Sequence, residues 1–272
     1  MGAELACCQA EGGDIPFMSA WLGVMYGRVA RVTLTAVRHT SAPRPGRRFE
    51  PIHEVALHSD AVAASGALPG AHRGVIVVRE MTGPIGIPDF TAMVGGADAL
   101  QVRSQLDVPP ILNSLDASIV AVTAARVPKT VDGIAQSLGW PTNTVIRRLP
   151  GLLDCGALQQ VRESRYVRPE ALQPAGRVYA IEAKVRDHIA ATNQVRAYLA
   201  WADSYVLVLG PLGRKPLELV TSAVRADQGG LVVAGKWIVR PCISKRSSAL
   251  RFLASEHFFA ATRTHTQPSV RA

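Results

Sequence analysis

The sequence predicts an α/β protein in which a small helical module interrupts a β-sheet. Three observations carry this. Short apolar runs of strand character stand on both sides of residues 105–172, at 74–80, 87–95, 176–185 and 204–212. The segment between them shifts to helical period with capping signals. Neither flank has enough strands to build a sheet alone, so the module occupies the loop of a hairpin, a surface position where insertion is tolerated.

Residues 1–48 carry no convincing period and end in SAPRPGRRFE, where Pro43, Pro45 and Gly46 exclude a helix interior. They read as a weakly structured leader. The first core segment spans 49–104. Ile52, Val55, Ala56, Val62 and Ala63 have helical spacing, and Pro51 suits a first turn, which predicts a helix to about Ala64. Strands at 74–80 and 87–95 follow, joined by the turn residues of MTGPIG.

In 105–172 the expected elements are a helix at 108–122, a second capped by Thr130 over VDGIAQSLG, the turn GWPT, and a third at 143–154 stopped by Gly156. ALQQVRESRYVRP then makes two short strands around Glu163 and Ser164. Three helices with a tight turn and a hairpin give the order of a winged helix-turn-helix. The second core segment, 173–211, resumes with a strand at 176–185, an amphipathic helix at 187–202 and the wholly apolar strand 204–212. The last segment, 212–272, completes the core with a hairpin over 230–241, turning at Ala234 and Gly235, and a helix at 247–262.

Composition narrows the function classes. Of 272 residues 48% are hydrophobic and 19% charged, enough apolar surface to offset the ordering entropy and exclude a disordered chain. The longest apolar stretch, 15–26, falls short of the roughly 20 residues a membrane helix needs. Acids rather than basic residues precede it, against a signal peptide, so the protein reads as cytoplasmic with no membrane partner. Cys7, Cys8, Cys155 and Cys242 have neither metal-ligand nor disulfide spacing. The net charge of +9 suits a nucleic-acid partner, although residues 1–48 carry +3 of it and 212–272 carry +7. Five of the 30 basic residues are lysines, and Lys184 stands in the chain's only acid-x-Lys triplet, Glu182-Ala183-Lys184.

A strand's two-residue period points Glu182 and Lys184 to one face and Ala183 away. Asp89, on the preceding core strand, can reach the same place. Two neighbouring carboxylates repel one another unless a divalent cation lies between them, and hard oxygen donors favour Mg²⁺ or Mn²⁺. Gln194 and Tyr198 lie one turn apart on the next helix.

With Pro88-Asp89 on one strand, Glu182-Ala183-Lys184 on the next and Gln194-x-x-x-Tyr198 on the following helix, the chain resembles the PD-(D/E)xK nuclease superfamily, its third element being similar to that of RecB-type nucleases. The resemblance covers 51–104 and 173–211. It implies a restriction-endonuclease-like αβββαβ core, also that of Holliday-junction resolvases, with the winged helix between two core strands. The implied activity is Mg²⁺-dependent hydrolysis of DNA phosphodiester bonds, with Asp89, Glu182 and the Ala183 carbonyl holding the metal. Lys184 would orient water or offset transition-state charge, Glu54 would add a carboxylate (Glu50 being its rival), and Gln194 and Tyr198 would meet the substrate or brace the lysine.

The module would place its third helix in the major groove through Thr142, Asn143, Thr144, Arg147 and Arg148, with Arg162, Arg165 and Arg168 of the wing on phosphate. Lys236, Arg240, Lys245, Arg246 and Arg251 form a second candidate basic surface. His53, His58 and His188 read as surface or capping residues. A single site that must cut two strands favours a homodimer. No G-x-x-x-x-G-K-[ST] motif occurs, so any ATP-driven or defence and repair partner lies on another chain. The alternative reading is a non-catalytic winged-helix DNA-binding regulator with a degenerate core. The two diverge on whether Asp89, Glu182 and Lys184 converge.

Overall fold

The computed structural model describes residues 32–34, 54–242 and 248–263, the first three as backbone only. It is a mixed α/β protein. The sheet has seven strands, β1 (Val32–Leu34), β2 (Val75–Arg79), β3 (Phe90–Val94), β7 (Arg177–Lys184), β8 (Ser204–Leu209), β9 (Gly230–Val233) and β10 (Lys236–Val239), in the order β1-β2-β3-β7-β8-β9-β10. β3 is antiparallel to β2 and β7, while β7, β8 and β9 run parallel. The central strands are buried on both faces, which is why β8 reads as SYVLVL, apolar from Tyr205 onward.

The two-residue period divides β7 between two core layers. Tyr179, Ile181 and Ala183 pack with Leu57, Ala61 and Ala64 beneath α1 (His58–Gly66). Val178 and Ala180 pack on the other face with Ala191, Val195 and Tyr198 of α6 (His188–Tyr198), Val220 and Val224 of α7 (Arg214–Ala226), and Phe258 of α8 (Ala249–Arg263).

Between β3 and β7 the chain leaves the sheet. After α2 (Ala97–Ser104) it forms α3 (Ser114–Val122), α4 (Val131–Leu138), α5 (Thr142–Asp154) and a small sheet of order β4-β6-β5 from Lys129–Thr130, Arg165–Val167 and Gln159–Arg162. Local chemistry sets these bounds. Thr130 Oγ1 accepts the Gly133 N–H at the start of α4, and Gly139 ends it in the left-handed region at φ 67°. The insert has its own core, including Ile119, Ile134, Val145, Leu149 and Leu158, joined by Phe252 and Leu253 of α8.

Several expectations change. The helix expected at 108–122 begins only at Ser114, because Pro109 and Pro110 cannot continue a hydrogen-bonded helix and Asn113 Oδ1 caps the later start. Residues 32–34, expected to belong to a weakly structured leader, form an edge strand parallel to β2. α2 and α7 were not expected at all. Pro216 lies in the first turn of α7, where its missing N–H costs nothing.

Candidate active site at the carboxyl end of β7

β7 outruns its antiparallel neighbour. The β3–β7 ladder ends at Phe90 opposite Ile181, whereas β8 stays beside β7 as far as Lys184. Glu182, Ala183 and Lys184 therefore overhang the end of β3, and Asp89 fills the missing ladder place: its Oδ2 accepts the Ala183 N–H at 2.7 Å. The Lys184 carbonyl accepts the Gly210 N–H on the β8 side. Because alternate residues of a strand present their backbone groups to opposite edges, the Ala183 carbonyl lies on the Asp89 edge, beyond the last rung of the ladder.

On the α6 face Glu182 is only 2% exposed. Its Oε1 accepts from Gln194 Nε2 at 2.8 Å and lies 3.2 Å from Lys184 Nζ. Its Oε2 accepts from the Tyr198 hydroxyl at 3.1 Å, and Gln194 Nε2 also donates to that hydroxyl oxygen at 2.9 Å. Glu54, just ahead of α1, reaches Lys184 Nζ with Oε1 at 3.2 Å. The i and i+4 positions of Gln194 and Tyr198 on one face of α6 thus grip a single carboxylate. Five of the six candidate catalytic residues share this network of contacts, and Asp89 joins it through the Ala183 N–H and through its charge on Glu182 and Lys184.

Burial and then the charge of Asp89 push the Glu182 carboxyl up to about 7, against the pull of Lys184. Burial likewise raises Asp89, with repulsion from Glu54 and Glu80 in the same direction and the Ala183 hydrogen bond opposing it. For Lys184, burial works against the charged form, yet Glu182, Asp89 and Glu54 outweigh it and hold the ammonium above its usual range. Burial and the Glu182 charge raise the Tyr198 hydroxyl, which remains a donor. The site is therefore one firmly protonated lysine among acids that repel one another.

Glu182, Asp89 and the Ala183 carbonyl are the oxygen groups here that could hold a hard cation. Glu182 has about four lone-pair positions and uses three. Asp89 spends one oxygen on Ala183. With the Ala183 carbonyl these form an all-oxygen donor set. Among the described residues no three Asp, Glu, His or Cys side chains are grouped as a ready-made metal cage. Mg²⁺ does not require one, since it keeps several waters and takes one or two carboxylates plus phosphate oxygens.

The sequence missed Glu80. Its backbone N–H donates to the Asp89 carbonyl at 2.9 Å from a left-handed conformation at φ 50°, and its charge repels Asp89. The signal was available as an acid closing the strand expected at 74–80. His58, expected to be a surface or capping residue, packs edge-on against Phe90, and burial lowers its pKa. His188 opens α6, while His53 and Glu50 lie outside the described residues.

The candidate nucleic-acid contacts divide. Asn143 and Thr144 lie in the first turn of α5, and Asn143, Arg147, Arg162 and Arg165 are exposed. Three others are held internally. Arg148 makes a two-pronged pair with Asp116 of α3 at 2.7 and 2.6 Å, the Thr142 hydroxyl donates to Asp132, and Arg168 Nε donates to the Thr123 carbonyl. In the second basic group Arg251 is not a surface residue at all: it is 1% exposed and paired with Asp203. Arg240 stacks on Trp237 and donates to the Ala67 carbonyl, and Lys245 and Arg246 lie outside the described residues.

No helix among the described residues is long and apolar enough to cross a membrane. No family model, curated protein or solved structure matches this chain.

Proposed function

We propose that the protein is a metal-dependent nuclease that hydrolyses DNA phosphodiester bonds, with residues 105–172 acting as a winged helix that positions the nucleic acid. The observation that carries this is the convergence of Asp89, Glu182 and Lys184 where β7 outruns β3, with Gln194 and Tyr198 fixing Glu182 from α6. Burying like charges side by side costs stability, and a fold gains nothing from it unless the site serves another purpose.

Asp89, Glu182 and the Ala183 carbonyl are the groups that would hold Mg²⁺ or Mn²⁺, which when bound would polarise the scissile phosphate and lower the pKa of a water. The chain's own role is positional and electrostatic. Lys184, the one cation within the network, orients the attacking water and offsets charge developing on the phosphoryl oxygens. Gln194 and Tyr198 hold the Glu182 carboxylate in a fixed rotamer, and Glu54 fixes the lysine from the opposite layer.

The test is incubation of the purified chain with supercoiled, linear, branched and single-stranded DNA in Mg²⁺ or Mn²⁺. Cleavage should require the cation and disappear in Asp89→Ala while folding and DNA affinity persist. A protein that binds DNA yet leaves every substrate intact is the non-catalytic regulator, and the nuclease reading is then lost.

A further inference from the structure

The insert is joined to the sheet by two chain crossings, and one helix grips both. On the entry side Arg103 and Glu256 of α8 form a buried pair, 3% exposed each, with Nε to Oε1 at 3.0 Å and Nη2 to Oε2 at 2.8 Å. Their remaining valences hold the entering backbone. Arg103 donates to the Val108 and Pro109 carbonyls, and Glu256 Oε2 accepts the Ile111 N–H at 2.9 Å. On the exit side Arg251 donates to the Ala175 and Gly176 carbonyls, and Ser255 Oγ accepts the Ala175 N–H. Arg251 also meets Asp203 Oδ2 at 2.9 Å, and that same oxygen accepts the N–H of Val178 near the start of β7.

The apolar side of α8 is shared in the same way. Phe252 and Leu253 belong to the core of the insert, whereas Ala254, Phe258 and Phe259 belong to that of the sheet. A flexibly tethered module has no use for two buried ion pairs on its linkers, since desolvating such charges costs about as much as the pairing returns.

We infer that α8 is a bracket that locks the insert in one orientation on the sheet, so that nucleic acid held by the insert meets the β7 carboxylates at one fixed offset. The offset rests on the proposed nuclease activity; the bracket does not.

The experiment measures the distance distribution between spin labels on Val161→Cys and Leu219→Cys, both exposed positions, in a full-length chain whose native cysteines are serine. The unmodified bracket should give a single narrow peak. Replacing its entry-side pair in Arg103→Met/Glu256→Met, which preserves apolar volume, should lose that peak to a broad distribution while thermal unfolding stays cooperative. A broad distribution with the bracket intact overturns the inference, as does a narrow one in a folded double variant. If the double variant does not fold, Ser255→Ala on the exit side provides the same reading. Mapped on DNA, cleavage should fall at one distance from the bound segment and spread over neighbouring positions in the variant. A spread already present with the intact bracket overturns the offset. Failure to cut any DNA defeats the nuclease reading and with it the offset, while the label distances still decide the bracket.

Discussion

At the carboxyl end of β7 an acid is 2% exposed, fastened by three side chains and pushed up to about 7, while on the insert Arg147, Arg162 and Arg165 stand in solvent. The first arrangement is costly. Burial and the charge of Asp89 raise the cost of ionising Glu182, and hydrogen bonds from Gln194 and Tyr198 hold the carboxylate there nonetheless. The second costs nothing, because an exposed arginine is at home in water. A cluster that opposes stability says more about function than a surface that is indifferent to it. The proposed chemistry therefore rests on the sheet, and the proposed binding role of the insert is a matter for mutagenesis.

That contrast can be broken most forcefully at Lys184. If its role is electrostatic and positional, Lys184→Met should lower the cleavage rate by about 10²-fold or more, and Lys184→Arg should do no better, since the larger planar guanidinium cannot occupy the same point. Rates of plasmid nicking at saturating Mg²⁺ decide this, and DNA affinity should be unchanged in both.

The next effect is on stability. A carboxyl raised from 4.5 to about 7 by folding binds protons more tightly in the native state, so its contribution is complete below 4.5 and is lost as pH rises through 7. Glu182→Gln abolishes this dependence. Above neutrality the variant should be more stable than the native chain by on the order of 1–3 kcal/mol in urea unfolding, and the two should converge in acid. Adding Mg²⁺ in alkaline buffer should raise the melting temperature of the native chain and not that of the variant.

The smallest effects separate the arginines of the insert. Arg147→Ala, Arg162→Ala and Arg165→Ala should each reduce the salt dependence of DNA binding by about one released ion. Arg148→Ala and Arg168→Ala should leave it unchanged, because Asp116 and the Thr123 carbonyl occupy those side chains. They should instead cost up to about 1 kcal/mol of stability each.

Legibility in the sequence followed how local the cause was. The period of two placed Glu182 and Lys184 on one face, the i and i+4 spacing placed Gln194 beside Tyr198, and the cap at Thr130 and the turn at Ala234 and Gly235 needed only neighbouring residues. What stayed hidden required the rest of the molecule. α2 has little amphipathic contrast in ADALQVRS, and its Arg103 finds a partner 153 positions away. Arg148 and Arg168 resemble Arg147 in sequence and differ only in the tertiary acceptor that each meets. Arg251 was counted with a basic surface because nothing local indicates that Asp203 and the Ala175 and Gly176 carbonyls enclose it.

Whether the acids at the end of β7 are built to hold a cation is decided by titrating Mn²⁺ into the metal-free protein in alkaline buffer and following the free ion by electron paramagnetic resonance. The native chain and Arg147→Ala should bind the ion, and Asp89→Ala and Glu182→Ala should lose it. No binding by the native chain, or undiminished binding by Asp89→Ala, would mean that these acids are not a cation site.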